Sequence, residues 1–95
     1  MFDAAWKTVR QHGASPALKQ SLARITEASH PHEALETYAE HVETLANAGG
    51  DRAYGEATAL ITRMAALRSA TEQTTYIAEL KARHGRKRNF MKLLG

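Results

Sequence analysis

The sequence predicts an all-α protein, and three observations carry that reading. Hydrophobic positions are filled largely by Ala, with Leu, Ile, Tyr and Met, and few β-branched residues stand in runs, which favours helix over strand. Apolar residues recur three and four apart through segment after segment, the period of a helix buried on one side. Ser-Pro, His-Pro and Gly-Gly steps separate those segments, where helices start and stop.

The first helix is expected from about Phe2 to His12, with Phe2, Ala5, Trp6 and Val9 as its apolar stripe and Gly13 ending it in the left-handed conformation. Ser15 is a good N-cap and Pro16 suits the first helical position, so a second helix follows to about Ala28 with Leu18, Leu22 and Ile25 on one face. Ser29-His30-Pro31 repeats that punctuation and opens a third helix to roughly Ala48. Its buried seam is Leu35, Tyr38, Val42 and Leu45, with Ala34, Ala39 and Ala46 beside it. Gly49-Gly50 stops it and Asp51 is placed to cap the next. That fourth helix carries Tyr54, Ala57, Leu60, Ile61, Met64 and Leu67 inward to about Ser69. Thr71 with Glu72 opens a fifth, with Tyr76, Ile77 and Leu80 on its apolar face, and Gly85 breaks or kinks it before a short terminal helix.

Five to six short helices joined by links this brief imply antiparallel neighbours, either as a bundle or as stacked helical hairpins. Residues 30–67 resemble a tetratricopeptide hairpin, through Ala34 and Tyr38 on one helix, the Gly50-Asp51 turn, and Tyr54 and Ala57 on the next. Small residues at Ala34 and Ala57 let two helices cross closely while the tyrosines fill the flanks. No second copy recurs at a fixed period, so residues 1–95 are expected to form one helical domain rather than a regular array.

Charge is segregated along the chain. Residues 1–80 hold seven Lys/Arg against ten Asp/Glu, a net −3, whereas residues 81–95 hold six Lys/Arg and no acid, a net +6. The whole-chain pI of about 9.5 therefore reflects one segment, and that basic C-terminal segment is the expected electrostatic contact. Cysteine is absent, which excludes disulfides, Cys-based zinc sites and thiol nucleophiles. No apolar run nears the roughly 20 residues of a membrane span, and residues 1–9 lack the apolar stretch of a signal peptide. A cytoplasmic protein is expected.

Candidate chemistry is sparse. Glu33, Glu36, Glu40 and Glu43 recur three and four apart along the third helix near His32 and His41, but the Glu-x-x-His pairs of di-metal bundles are missing. The expectation is a solvated acidic face of Glu36, Glu40 and Glu43, suited to attracting a basic segment such as the chain's own tail. His30-Pro31-His32 reads as a turn and cap rather than a chelate. No Gly-x-Ser-x-Gly elbow presents Ser15 or Ser21, and the glycines of residues 48–57 lack the Lys-Ser/Thr ending of a phosphate loop. Neither an enzyme nor a cofactor or metal site is expected. Trp6, Tyr38, Tyr54 and Tyr76 read as core.

The tail from Arg83 to Gly95 runs from cations into apolar residues and has three readings. Lys81, Arg83, Arg86, Lys87, Arg88 and Lys92 can contact nucleic-acid phosphates or another polyanion, or a protein partner. Phe90, Met91, Leu93 and Leu94 can enter a membrane surface, the least supported reading. As structure, Phe90 with Leu93 or Leu94 closes the preceding hairpin while the cations stay hydrated or pair with the acidic third helix, and this reading leads.

The His-Pro…Ala-Leu…Tyr helix of residues 30–42, the Ala-Tyr…Ala helix of 53–67 and the Tyr…Leu…Arg…Lys-Arg segment of 76–94 together resemble the helical region that follows the zinc finger in bacterial SWIM zinc-finger proteins and related uncharacterised families. The resemblance implies a C-terminal piece or stand-alone relative of such proteins. The Cys and His ligands of that finger are missing here, so zinc binding does not carry over. The expected function is a non-catalytic protein-interaction or scaffolding module. Its recognition groove is expected between the third and fifth helices, Glu36, Glu40 and Glu43 on one side and Arg83, Arg86 and Arg88 on the other. Polyanion binding through the tail is the alternative. The partner and the oligomeric state are not fixed by the sequence.

Overall fold

The computed structural model describes residues 2–95, which form six helices and no strand: α1 (Phe2–His12), α2 (Pro16–Ile25), α3 (Pro31–Ala48), α4 (Asp51–Ala65), α5 (Ala70–His84) and α6 (Arg88–Leu94). The chain divides into two compact units, one ending at Tyr38 and the other running from Ala39 to Gly95. Among the described residues no helix is long and apolar enough to cross a membrane.

In the first unit Gly13 takes φ 75° and its N–H closes α1 on the Val9 carbonyl at 2.8 Å, a conformation that costs a side-chain-free residue little. Ser15 caps α2, its hydroxyl accepting from the Leu18 N–H at 3.2 Å. The core holds Trp6, Ala23, Thr26, Ala34, Thr37 and Tyr38. A buried threonine needs partners, and Thr26 has them: its hydroxyl accepts from the Trp6 indole N–H at 3.1 Å and donates to the Leu22 carbonyl at 2.6 Å.

Thr26 also ends α2 three residues short of the expected Ala28. Its backbone turns to φ −115°, ψ 11° while its N–H bonds back to the Leu22 and Ala23 carbonyls, and the Ser29 and His30 N–H groups then turn onto the Thr26 carbonyl. The expected apolar face of α2 is open: Leu18 is 58% and Ile25 66% exposed, and the buried residue of this helix is Ala23.

In the second unit Gly49 and Gly50 adopt φ 77° and 92°, so the left-handed backbone puts the α4 N-cap on Gly50 and makes Asp51 the first helical residue rather than the cap. Helix α4 ends at Ala65, not Ser69, because Ser69 is the extended N-cap of α5. Its hydroxyl accepts from the Glu72 N–H at 3.2 Å while Glu72 accepts from the Ser69 N–H at 2.9 Å, a reciprocal capping box. The opening of α5 thus uses Glu72 as expected, but Ser69 in place of Thr71.

Helices α4, α5 and α6 pack on one another around Ala57, Ile61, Met64, Tyr76, Leu80, His84 and Phe90. Gln73 joins two of them, its side-chain N–H donating to the Ile61 carbonyl at 3.0 Å and its carbonyl accepting from Arg68 Nε at 2.8 Å. Helix α5 stops at His84. Gly85 has an ordinary right-handed conformation, φ −56°, ψ −22°, but a Cβ there would lie 2.8 Å from the Lys81 carbonyl oxygen. Want of space, not a left-handed backbone, selects glycine at this junction.

Candidate functional site

Ionisable groups converge where α3, α5 and α6 meet inside the second unit. Tyr76, Leu80 and His84 recur four apart on α5 and share its buried face, so His84 enters the core by helical period alone. Glu43 sits beside buried Val42 on α3, one position off the seam. One of its oxygens, Oε1, accepts from Arg83 Nε at 2.9 Å and Nη2 at 2.5 Å, and the other, Oε2, lies 2.6 Å from His84 Nε2. Across the ring, His84 Nδ1 lies 3.0 Å from Lys87 Nζ.

The ammonium of a lysine only donates, so Nδ1 accepts from Lys87 and Nε2 carries the hydrogen donated to Glu43. Burial pushes the Glu43 carboxyl up, yet the hydrogen bonds from His84 and Arg83, reinforced by the charge of both groups, outweigh it and hold the carboxyl below its ordinary value. With both its oxygens and both ring nitrogens occupied, the cluster is satisfied internally. It holds a helix junction together and presents no free base.

The six tail cations divide by this geometry. Arg83 and Lys87 belong to the cluster, and Lys81 Nζ donates to the Gly95 carbonyl at 2.7 Å. Arg86, Arg88 and Lys92 are exposed, and no ion pair holds them among the described residues. Beside them Leu93 is 48% exposed, while Phe90 on the same short helix is fully buried. On the acidic face, Glu43 meets the tail. Glu36 is exposed 3.8 Å from His32 Nε2, Glu40 is exposed, and Glu33 pairs with Arg10 at 3.3 Å. Glu43 and Arg83, assigned to opposite sides of an open groove, instead bond directly.

The histidines weighed as ligands lie apart from one another in role. His30 bonds Asp3 through Nε2 and Ser29 Oγ through Nδ1 at 2.9 Å. Ser29, His30 and Asp3 bring a hydroxyl, an imidazole and a carboxylate together, but Ser29 Oγ also faces the Thr26 carbonyl at 3.4 Å and is exposed with Asp3. Nothing there excludes water, and the bonds brace the α2–α3 turn. His41 Nδ1 is buried without a hydrogen-bond partner. Among the described residues no three His, Asp or Glu side chains are grouped to hold a metal ion.

An open recess of about 280 Å³ runs along α5, lined by Arg68, Thr71, Glu72, Thr75, Tyr76 and Glu79. All but Arg68 come from α5, so it is the outer face of one helix with an arginine laid over it. The Arg68 guanidinium stands 4.3 Å from the centre of the Tyr76 ring, a cation–π contact. The Tyr76 hydroxyl and Arg68 Nη2 are buried without hydrogen-bond partners. Burial, then the Glu43 charge, pushes the Tyr76 hydroxyl up to about 12, so it stays protonated at neutral pH.

Sequence reasoning passed over His84, although its place four residues after Leu80 marks it as core-facing. Comparison with protein-family models, with curated proteins and with solved structures gives no match.

Proposed function

We propose that this chain is a non-catalytic helical interaction module that docks an acidic protein partner on the outer face of α6 and the α5–α6 turn. One observation carries the reading: among the described residues Arg86, Arg88 and Lys92 are exposed and hold no ion pair, in the same short segment as the half-exposed Leu93. An exposed apolar residue in a segment that carries free cations suits an acidic amphipathic partner, because the apolar residue gains from desolvation and the cations steer the approach. The internal closure of Glu43 and His84 supports a structural rather than a catalytic role for the chain's best-placed acid and imidazole. The likeness of residues 30–94 to the helical region of SWIM zinc-finger proteins is part of the same proposal, as an assembly role without zinc.

Polyanion binding is the second reading, favoured by the same three free cations. A salt titration separates the two. One probe is a fluorescent acidic peptide with leucines three and four apart, and the other is a fluorescent short DNA duplex. Under the first reading the peptide stays bound at about 0.3 M salt, where exposed charges are largely screened, and Leu93→Asp abolishes its binding. Duplex binding that falls with a slope near −0.9 per neutralised phosphate, without peptide binding, replaces it by the second. Failure of both probes rejects both.

A further inference from the structure

His84 is held from two sides by groups of opposite charge. Nε2 donates to Glu43 Oε2 at 2.6 Å, Nδ1 accepts from Lys87 Nζ at 3.0 Å, and the ring meets Phe90 edge-on with centroids 5.9 Å apart. Only 6% of His84 is exposed. Lys87 is at once the N-cap of α6 and a residue whose own N–H bonds the His84 carbonyl at 2.9 Å. No side chain caps this helix by a hydrogen bond, and at seven residues it is far below the length at which a helix persists unaided. Its order therefore depends on the tethers at His84 and on the burial of Phe90.

We propose that His84 is a proton-operated latch for α6: a proton taken up at Nδ1 turns the acceptor for Lys87 into a second donor, expels the ammonium and loosens the start of the helix. The balance of surrounding charges shows which contact yields. From α3 the Glu43 carboxylate faces Nε2 and favours the added proton. From α5 Arg83 shares that carboxylate and opposes it, and from the α5–α6 turn Lys87 opposes it directly. Helix α4 supplies Tyr54, whose ring stacks on Phe90. After uptake the Glu43 bond remains and becomes an ion pair, so α3 and α5 stay joined. The half-buried Lys87 has a long flexible stem and reaches water readily. One proton moves from solvent to Nδ1 and no covalent bond changes. The latch does not depend on what α6 binds.

Amide hydrogen exchange, read residue by residue at about pH 7.5 and about pH 5.5, spans the range in which imidazoles change charge and tests this. After correction for intrinsic exchange, the protection of Met91 to Leu94 is expected to fall about tenfold at the lower pH, with α4 and α5 unchanged. His84→Gln is expected to abolish the fall, because the glutamine amide can donate to Glu43 and accept from Lys87 without titrating. Should that variant fail to fold, Lys87→Met removes the ammonium that the proton expels and is likewise expected to level the two pH values. Equal protection at both pH values in the unmodified chain overturns the latch, as does an undiminished fall in whichever variant folds.

Discussion

Phe90 of α6 stacks on Tyr54 of α4, ring centroids 5.2 Å apart and planes 19° from parallel. The contact joins the last helix to one that begins 37 positions earlier in the chain, and Phe90 is fully buried in it. Phe90→Ala is expected to cost about 3–5 kcal/mol, the range for truncating a buried phenylalanine. A urea unfolding curve checks this, and an unchanged midpoint would place Phe90 outside the core.

Glu43→Gln should destabilise the chain at neutral pH and leave it little changed in acid. The carboxyl titrates below its ordinary value of 4.5 in the folded protein. Its contribution is therefore present above the unfolded value and is lost as the pH falls through the folded one. The gap in urea midpoint between parent and variant is expected to be present at neutrality and to close below about pH 4.

Tyr76 gives the opposite dependence. With its hydroxyl pushed up to about 12 against roughly 10 in an unfolded chain, the folded state retains the proton longer. That contribution is complete below pH ~10 and is lost as the pH rises towards about 12. Tyr76→Phe should abolish this part of the alkaline destabilisation, measured as the slope of stability against pH above about 10. An identical slope in the variant would show the hydroxyl to be solvated.

Ser69→Ala removes one half of the α5 capping box and is expected to cost about 1 kcal/mol. Glu72 loses the partner of its own N–H, so the first turn of α5 should fray ahead of the rest. Faster amide exchange confined to that turn is the readout.

Gly85→Ala tests a different constraint. The new methyl would meet the Lys81 carbonyl oxygen at 2.8 Å, and backbone cannot yield as a side-chain tip does. A loss of about 1–3 kcal/mol is expected, together with a shift of α6 resonances. A helix-favouring increase in stability would mean that the junction has room.

The ends of α1 and α3 were legible because the signals there are local: Gly13 after the stripe around Trp6, and Pro31 and Gly49 on either side of the Tyr38 seam. Two other ends moved because a neighbouring residue held a stronger local bond. Thr26 closes α2 with its hydroxyl on Leu22, and Ser69 rather than Thr71 is spaced three residues from Glu72. The open face at Leu18 and Ile25 was hidden, since helical spacing says which residues share a side and nothing about what lies opposite. The meeting of Glu43 with Arg83 and His84 was hidden for a related reason. Their separation is 40 and 41 positions, and no periodicity reaches that far. The charge imbalance of the tail indicated that acids and cations would meet, but not which pair.

The hydrogen bond from Trp6 to Thr26 gives the molecule an optical asymmetry. Trp6 is the sole tryptophan, and it lies with its partner in the unit that ends at Tyr38. Indole emission thus watches that unit alone, while tyrosine signals come from both, Tyr38 in the first unit and Tyr54 and Tyr76 in the second. Indole emission followed as the protein is heated therefore reports the loss of the first unit by itself.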